Sequence, residues 1–204
     1  MKYQENISDV AEQSPDYLGF IFYEKSPRNF DGVIPELPKH IKKVGVFVNA
    51  TVDFINTKIE KYGFSAIQLH GNETPEFCKT LRALHNEIEI FKVFSIKDAF
   101  DFSVLSAYED HVDYFLFDTK GKEKGGNGYT FDWSVLEDYS STTPFILSGG
   151  IGLHELSSVQ SFLKQTVAKY LYALDVNSKF EIKPGLKNID NLKEFKQVLK
   201  TYIE

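Results

Sequence analysis

The chain has 204 residues, of which 42% are hydrophobic and 25% charged, and this length and composition predict one globular domain over residues 1–204. Its net charge of −6 argues against a nucleic-acid partner, because phosphate binding needs a basic surface. No apolar run approaches the roughly 20 residues of a membrane helix, and the N-terminus lacks a secretory signal pattern. With its single cysteine, the sequence predicts a cytoplasmic protein without disulfides and leaves the oligomeric state open.

Short apolar runs rich in β-branched and aromatic residues recur along the chain, and their starts lie 23 to 31 residues apart. Because they are nearly continuous rather than alternating, they predict strands of a parallel sheet that is covered on both faces. The runs are YLGFIF (17–22), KVGVFV (43–48), AIQLH (66–70), EIFKVF (89–94), YFLFD (114–118), FILSG (145–149) and YLYALDV (170–176).

Amphipathic segments alternate with these runs and predict helices, one of which begins at Thr74 as N-cap with Pro75 in its first turn. Four other predicted helices cover residues 3–11, 52–62, 156–163 and 189–202, and a further one starts at 131–133. This alternation predicts an α/β protein of the (βα)8-barrel type, with an open seven-stranded sheet as the alternative. The chain begins in a helix, so the barrel interpretation expects a first strand upstream of Met1, missing from this sequence.

Polar residues at the strand ends are the candidate site residues, because barrel enzymes place their chemistry there. Arg28 offers a planar fork for a carboxylate or phosphate, and Gln68 and His70 share one face of their strand. Asp118 ends an apolar strand as a candidate acid–base group, and the Gly- and Lys-rich segment after it resembles a lid. Taken singly, each also suits a structural role as a solvated arginine, a hydrogen-bonded histidine or a turn residue.

Two loops near the end of the chain predict a phosphate site. Adjacent Gly149 and Gly150 let backbone N–H groups approach an anion, and the last strand ends in Asp175, Asn177 and Ser178. Loops after the last two strands of such barrels commonly bind phosphate. No metal-ligand cluster is evident in the sequence, and Cys78 is interpreted as a small buried hydrophobe.

Taken together, these strand ends resemble the phosphoribosylanthranilate isomerase family in order and spacing. The segments that carry the resemblance are IFYEKSPR, VGVFVN, IQLHG, FDTK…GGNGYTFDW, LSGGI and DVNSKFE…PGLKN. It implies a (βα)8 barrel of tryptophan biosynthesis that rearranges N-(5-phosphoribosyl)anthranilate without a cofactor.

The resemblance also implies a role for each candidate residue toward this small phosphoribosyl substrate. Asp118 corresponds to the general acid, and Arg28 to the residue that anchors the anthranilate carboxylate. Gln68, His70 and Asp175 would contact the substrate. The residues expected to hold its phosphate are Gly149, Gly150, Asn177 and Ser178.

Two departures from the family qualify this expectation. The family's first strand ends in a Lys-x-Cys-Gly-type motif whose cysteine is the general base, whereas MKYQENISDVAEQ aligns with the helix after it. Asn177-Ser178-Lys179 also stands where Ser-Ser-Gly is common. The chain is therefore expected to have impaired activity, with a non-catalytic phosphate-binding relic or another phosphosugar barrel enzyme as alternatives.

Overall fold

A computed structural model describes residues 1–119 and 131–203. Seven parallel strands form one sheet in chain order, each hydrogen-bonded to the next. They are β1 (Tyr17–Phe22), β2 (Lys42–Phe47), β3 (Ala66–Leu69), β4 (Glu89–Ile96), β5 (Tyr114–Thr119), β6 (Phe145–Leu147) and β7 (Leu171–Leu174). All seven predicted strands are thus confirmed to within a few residues.

The described residues contain five α-helices that pack against the sheet: α1 (Gln4–Ala11), α2 (Val52–Tyr62), α3 (Pro75–Leu84), α4 (Leu156–Phe162) and α5 (Ile189–Ile203). The prediction for α3 is confirmed in detail, since the Thr74 side chain accepts a hydrogen bond from the Phe77 backbone N–H and Pro75 is the first helical residue. The backbone N–H groups of the first helical turn have no partner within the helix, so the Thr74 cap satisfies one of them, and proline has no such group to leave unpaired.

The segments that connect the strands differ most from the predicted secondary structure. The helix expected at 131–133 is a 3-10 helix, Trp133–Asp138, with Asp132 as its cap. Further 3-10 helices join β4 to β5, and the connection between β1 and β2, residues 23–41, has no helix. An antiparallel hairpin that the sequence analysis did not predict, β8 (Glu181–Lys183) with β9 (Leu186–Lys187), precedes α5.

The sheet curls so that its two edge strands approach one another. The hydroxyls of Tyr17 on β1 and Tyr172 on β7 lie 2.8 Å apart. Inside the curl, an apolar cluster fills the space; it consists of Val44, Val46, Ala66, Phe91, Val93, Leu116 and Ile146. A second, larger core packs the outer face of the sheet against the helices.

Burial of the edge strands differs from the prediction. Alternate residues of β1 are only half-buried, and β7 is partly exposed throughout, because an edge strand has a sheet neighbour on one side only. The strand expected before Met1 lies outside the sequence and is not supported by the structure. The single-domain boundary of 1–204 stays a prediction.

Candidate active site

Gln68, His70 and Asp118 form a row of polar contacts at the carboxyl ends of β3 and β5. Gln68 Nε2 lies 3.0 Å from His70 Nδ1, and His70 Nε2 lies 3.2 Å from Asp118 Oδ2. With Gln68 donating to Nδ1, a neutral imidazole carries its proton on Nε2, the nitrogen that faces Asp118. The prediction that Gln68 and His70 share a face is confirmed by this contact.

Both oxygens of Asp118 have partners. Oδ2 faces His70, and Oδ1 accepts a hydrogen bond of 2.9 Å from the backbone N–H of Thr119. The residue is 8% exposed. A carboxyl group that is hydrogen-bonded at one oxygen, faces an imidazole at the other and is shielded from bulk water is positioned to exchange a proton with a bound ligand.

The first glycine of the LSGG turn packs directly against this carboxylate. Gly149 has a φ of +86° and Gly150 a φ of +71°, which is the left-handed region that favours glycine. A Cβ atom on Gly149 would meet the Oγ1 and backbone N atoms of Thr119 first and would lie 2.7 Å from Asp118 Oδ1, so a larger residue there would disturb the backbone that holds the acid. The glycine turn and the acid therefore belong to one site.

The second predicted phosphate loop lies against the first. A Cβ atom on Gly152 would lie 2.9 Å from the Cβ atom of Lys179, which places the loops after β6 and β7 in contact. Ser178 begins a short 3-10 helix in the second loop. The contact between the loops is consistent with one anion cradle, although the phosphate role of these residues stays a prediction.

Asp175 joins the same end of the sheet through Ser148, whose hydroxyl donates a hydrogen bond of 3.0 Å to Asp175 Oδ2. Burial raises the pKa of Asp175, and the charge of Asp118 adds to this, whereas the Ser148 hydrogen bond opposes it. Asp175 is thus a carboxyl group beside the candidate acid whose ionised form is disfavoured by burial.

Arg28, expected to bind a carboxylate, already contacts one within the protein. Its guanidinium forms a bidentate ion pair with the carboxylate of Glu181, with N–O distances of 2.7 to 3.1 Å. Glu181 in turn contacts Lys187, whose Nζ also donates to the side-chain and backbone oxygens of Asn177. The sequence analysis did not identify Glu181 or Lys187.

A second ion pair missed by the sequence analysis supports the loop after His70. Lys92 Nζ lies 2.9 Å from Glu73 Oε2 and donates to the Gly71 carbonyl, while Glu73 accepts from the backbone N–H of Gly71 and Asn49. Burial would raise the pKa of Glu73, but the charge and hydrogen bond of Lys92 hold it below its ordinary value. A lysine within the apolar run EIFKVF was the available signal, because a buried charge needs a partner.

Three other expectations have different outcomes. Cys78 is buried as predicted, and burial raises the pKa of its thiol to about 11, so it is not a base at neutral pH. The Gly- and Lys-rich lid segment, residues 120–130, lies outside the described residues. In the part of the chain that the structure describes, no group of three or more His, Cys, Asp or Glu could hold a metal ion.

Comparison with known proteins decides the family. The sequence model described as N-(5'-phosphoribosyl)anthranilate isomerase matches residues 1–198. A relative of that name from Parabacteroides distasonis is 42% identical over 211 residues, covering 100% of this chain and 93% of the relative. The chain belongs to the phosphoribosylanthranilate isomerase family.

Solved structures of the family agree with the fold. The Thermotoga maritima isomerase is similar with a TM-score of 0.80 and 31% identity, over 98% of this chain and 96% of that one. A second isomerase structure, in complex with reduced 1-(o-carboxyphenylamino)-1-deoxyribulose 5-phosphate, has a TM-score of 0.76 and 28% identity over 98% and 94%. The predicted α/β barrel-type architecture is therefore confirmed. Separately, no helix among the described residues is long and apolar enough to span a membrane.

Proposed function

We propose that the chain isomerises N-(5'-phosphoribosyl)anthranilate to 1-(2-carboxyphenylamino)-1-deoxyribulose 5-phosphate, a step of tryptophan biosynthesis. The observation that carries the proposal is the match to the isomerase family over residues 1–198. It agrees with a site that has a shielded acid, an arginine fork and glycine loops, because the substrate bears a sugar ring, a carboxylate and a phosphate.

In this proposal Asp118 is the general acid. It gives a proton to the furanose ring oxygen while the bond from that oxygen to C1 breaks, and the anilino nitrogen supplies the electron pair, which forms a protonated Schiff base. A base then takes the proton from C2, the electron pair of that C–H bond forms the C1=C2 double bond of a neutral enolamine, and the enolamine tautomerises to the ketone. The Thr119 N–H group that donates to Asp118 and the His70 ring 3.2 Å from its other oxygen stabilise the carboxylate that the first proton transfer leaves.

The binding roles follow from the charges of the substrate. Arg28 would bind the anthranilate carboxylate, and Gly149, Gly150, Asn177 and Ser178 would surround the phosphate. Gln68, His70 and Asp175 would contact the sugar and the aromatic part. The cytoplasmic location and the cofactor-free reaction stay predictions of the sequence analysis.

Steady-state turnover on freshly prepared N-(5'-phosphoribosyl)anthranilate, followed by the loss of its fluorescence, tests the proposal. Turnover that disappears in Asp118→Asn supports it, and ligand binding without any turnover favours the non-catalytic relic instead. A second form with a Lys-x-Cys-Gly strand added before Met1 tests the expected base. Faster turnover by that form supports the expectation, and equal turnover by the two forms contradicts it.

A further inference from the structure

Arg28 does not stand alone at the candidate site, because its guanidinium is held from one side by Glu181. Arg28 Nε lies 3.1 Å from Glu181 Oε1 and 2.9 Å from Oε2, and Nη2 lies 2.7 Å from Oε2. The Glu181 side chain is 4% exposed and that of Arg28 14%. The pair joins positions 153 residues apart, and it fixes the plane and direction of the guanidinium.

Glu181 is itself held rigidly at the β8–β9 hairpin. Its Oε1 accepts hydrogen bonds from the Gly185 backbone N–H at 2.9 Å and from Lys187 Nζ at 3.1 Å. Burial would raise the pKa of Glu181, but the hydrogen bonds from Arg28 and the charge of Lys187 hold it below its ordinary value. The carboxylate therefore stays ionised at neutral pH as a fixed anchor.

The Arg28 contact with Glu181 uses Nε and Nη2, and Nη1 takes no part in it. We propose that Glu181 is a positioning residue, which orients Arg28 so that the remaining guanidinium N–H groups receive the carboxylate of the ligand. This inference rests on the proposed function. Fixing a long side chain before binding removes an entropic cost that association would otherwise include.

The opposite role, in which the ligand carboxylate displaces Glu181, has a physical objection. Displacement would leave the buried Glu181 carboxylate without its Arg28 partner, and a buried charge that loses a partner is costly. Removing the charge of Glu181 nevertheless leaves the positive charge of Arg28 unneutralised, and this would attract a ligand carboxylate more strongly if Glu181 were its competitor. Competition therefore predicts tighter carboxylate binding by Glu181→Gln, whereas positioning predicts weaker binding.

The test is titration calorimetry with two ligands on the wild type and Glu181→Gln. One ligand is reduced 1-(o-carboxyphenylamino)-1-deoxyribulose 5-phosphate, and the other is the same compound without its ring carboxylate. We expect Glu181→Gln to weaken binding of the first by roughly 10-fold and to leave binding of the second nearly unchanged. Binding of the second ligand also reports that the variant is folded.

Two further variants sharpen the comparison. Glu181→Asp keeps the charge beside Lys187 but shortens the reach to Arg28, so we expect it to lose part of the same carboxylate preference. Glu89→Gln is the matched control, because it breaks the ion pair of Glu89 with Lys42 at the opposite ends of the strands. It is expected to bind both ligands as the wild type does.

Each other outcome overturns the inference. Equal weakening for both ligands would make Glu181 a purely structural residue, and tighter binding of the carboxylated ligand would make it a competitor. If the wild type binds the carboxylated ligand no better than the other, Arg28 does not bind the ligand carboxylate. If the wild type binds neither compound, the proposed function fails and the inference fails with it.

Discussion

His70 Nε2 lies 3.2 Å from Asp118 Oδ2, and this contact crosses from β3 to β5 over the intervening strand β4. Two side chains on non-neighbouring strands meet only because the sheet curls and both point into it. The contact thus shows that the carboxyl ends of the strands converge on one small space, where a single ligand can touch several of them.

The first prediction concerns Asp118 as the acid. Asp118→Asn keeps the size of the side chain but cannot give a carboxylic proton, so we expect kcat to fall by roughly 10²–10⁴-fold. Affinity for the reduced product should change little. Kinetics and calorimetry on the same preparation measure the two effects.

Asp113→Asn is the matched control for this variant, because Asp113 precedes the same strand β5 at its other end and pairs with Arg82. It should leave kcat close to that of the wild type. An Asp118→Asn enzyme that keeps its full kcat would exclude Asp118 as the general acid.

The second prediction concerns the histidine that supports the acid. His70→Ala removes the imidazole that lies 3.2 Å from Asp118, and a polar contact with a charged group is worth at most about 1.5–3 kcal/mol. We therefore expect kcat to fall roughly 10- to 100-fold, which is less than for Asp118→Asn. The double variant should be no slower than Asp118→Asn alone, since both changes act on one group; additive losses would contradict the coupling.

The strands and the meeting of Asp118 with His70 could be predicted because they follow from local pattern and from the geometry of parallel sheets. Apolar runs gave the seven strands, and the carboxyl ends of parallel strands meet at one edge, which brings Asp118 and His70 together. Neither inference needs knowledge of a particular long-range contact.

The partners of Arg28 could not be predicted in the same way. Glu181 lies 153 residues further along the chain, in a hairpin whose short strands carry no strong periodic signal. The curl of the sheet, which joins Tyr17 to Tyr172, is likewise a property of all the strands together. Lys92 differs from Arg28 in this respect, because a lysine within an apolar strand indicates a buried anion, but the sequence analysis did not use this signal and missed the pair with Glu73.

The third prediction concerns the buried carboxyl group of Asp175 and its effect on stability. Since burial raises its pKa in the fold, the native state favours the protonated form, and stability is lost as pH rises above the ordinary value of 3.8. Asp175→Asn should therefore be more stable than the wild type at pH 7, and this gain should vanish below about pH 3.8.

Urea unfolding at pH 7 and pH 3.5 measures this difference, and ligand titration measures its functional consequence. We expect Asp175→Asn to bind the reduced product more weakly, since a stabilised site commonly loses function. A variant that is less stable than the wild type at pH 7 would contradict the argument.

The fourth prediction concerns the Glu73–Lys92 pair, whose side chains are 2% and 3% exposed. Glu73→Gln leaves Lys92 buried without its counter-ion, so we expect a loss of about 3–5 kcal/mol in the free energy of unfolding at pH 7. The pKa of Glu73 is lowered in the fold. Its contribution is therefore present above the ordinary value of 4.5 and is lost as pH falls through the lower folded value.

Unfolding curves of the wild type and Glu73→Gln between pH 7 and pH 3 should accordingly converge as the solution becomes more acidic. Glu76→Gln is the control, because Glu76 lies three residues further along on the exposed first turn of α3. A Glu73→Gln variant with the same unfolding midpoint as the control would show that the buried pair contributes nothing to stability.

The last prediction concerns the contact between the edge strands. Tyr172 bonds the Tyr17 hydroxyl, which also donates to Glu89 Oε2 at 2.9 Å, and its ring stacks on Tyr114 with centroids 4.1 Å apart. Tyr172→Phe keeps the stacking and leaves Tyr17 bonded to Glu89, so it should cost only about 0.5–1.5 kcal/mol. Tyr172→Ala also removes the stacking and should cost about a further 0.5–1.5 kcal/mol or more.

Urea unfolding of these two variants beside Tyr170→Phe checks the argument, since the Tyr170 hydroxyl has no hydrogen bond to any described residue. We expect stability to fall in the order Tyr170→Phe, Tyr172→Phe, Tyr172→Ala. If Tyr172→Ala is as stable as the control, the edges of the sheet are held together by their backbones and helices, and the tyrosine contact is a consequence of the curl rather than a cause of it.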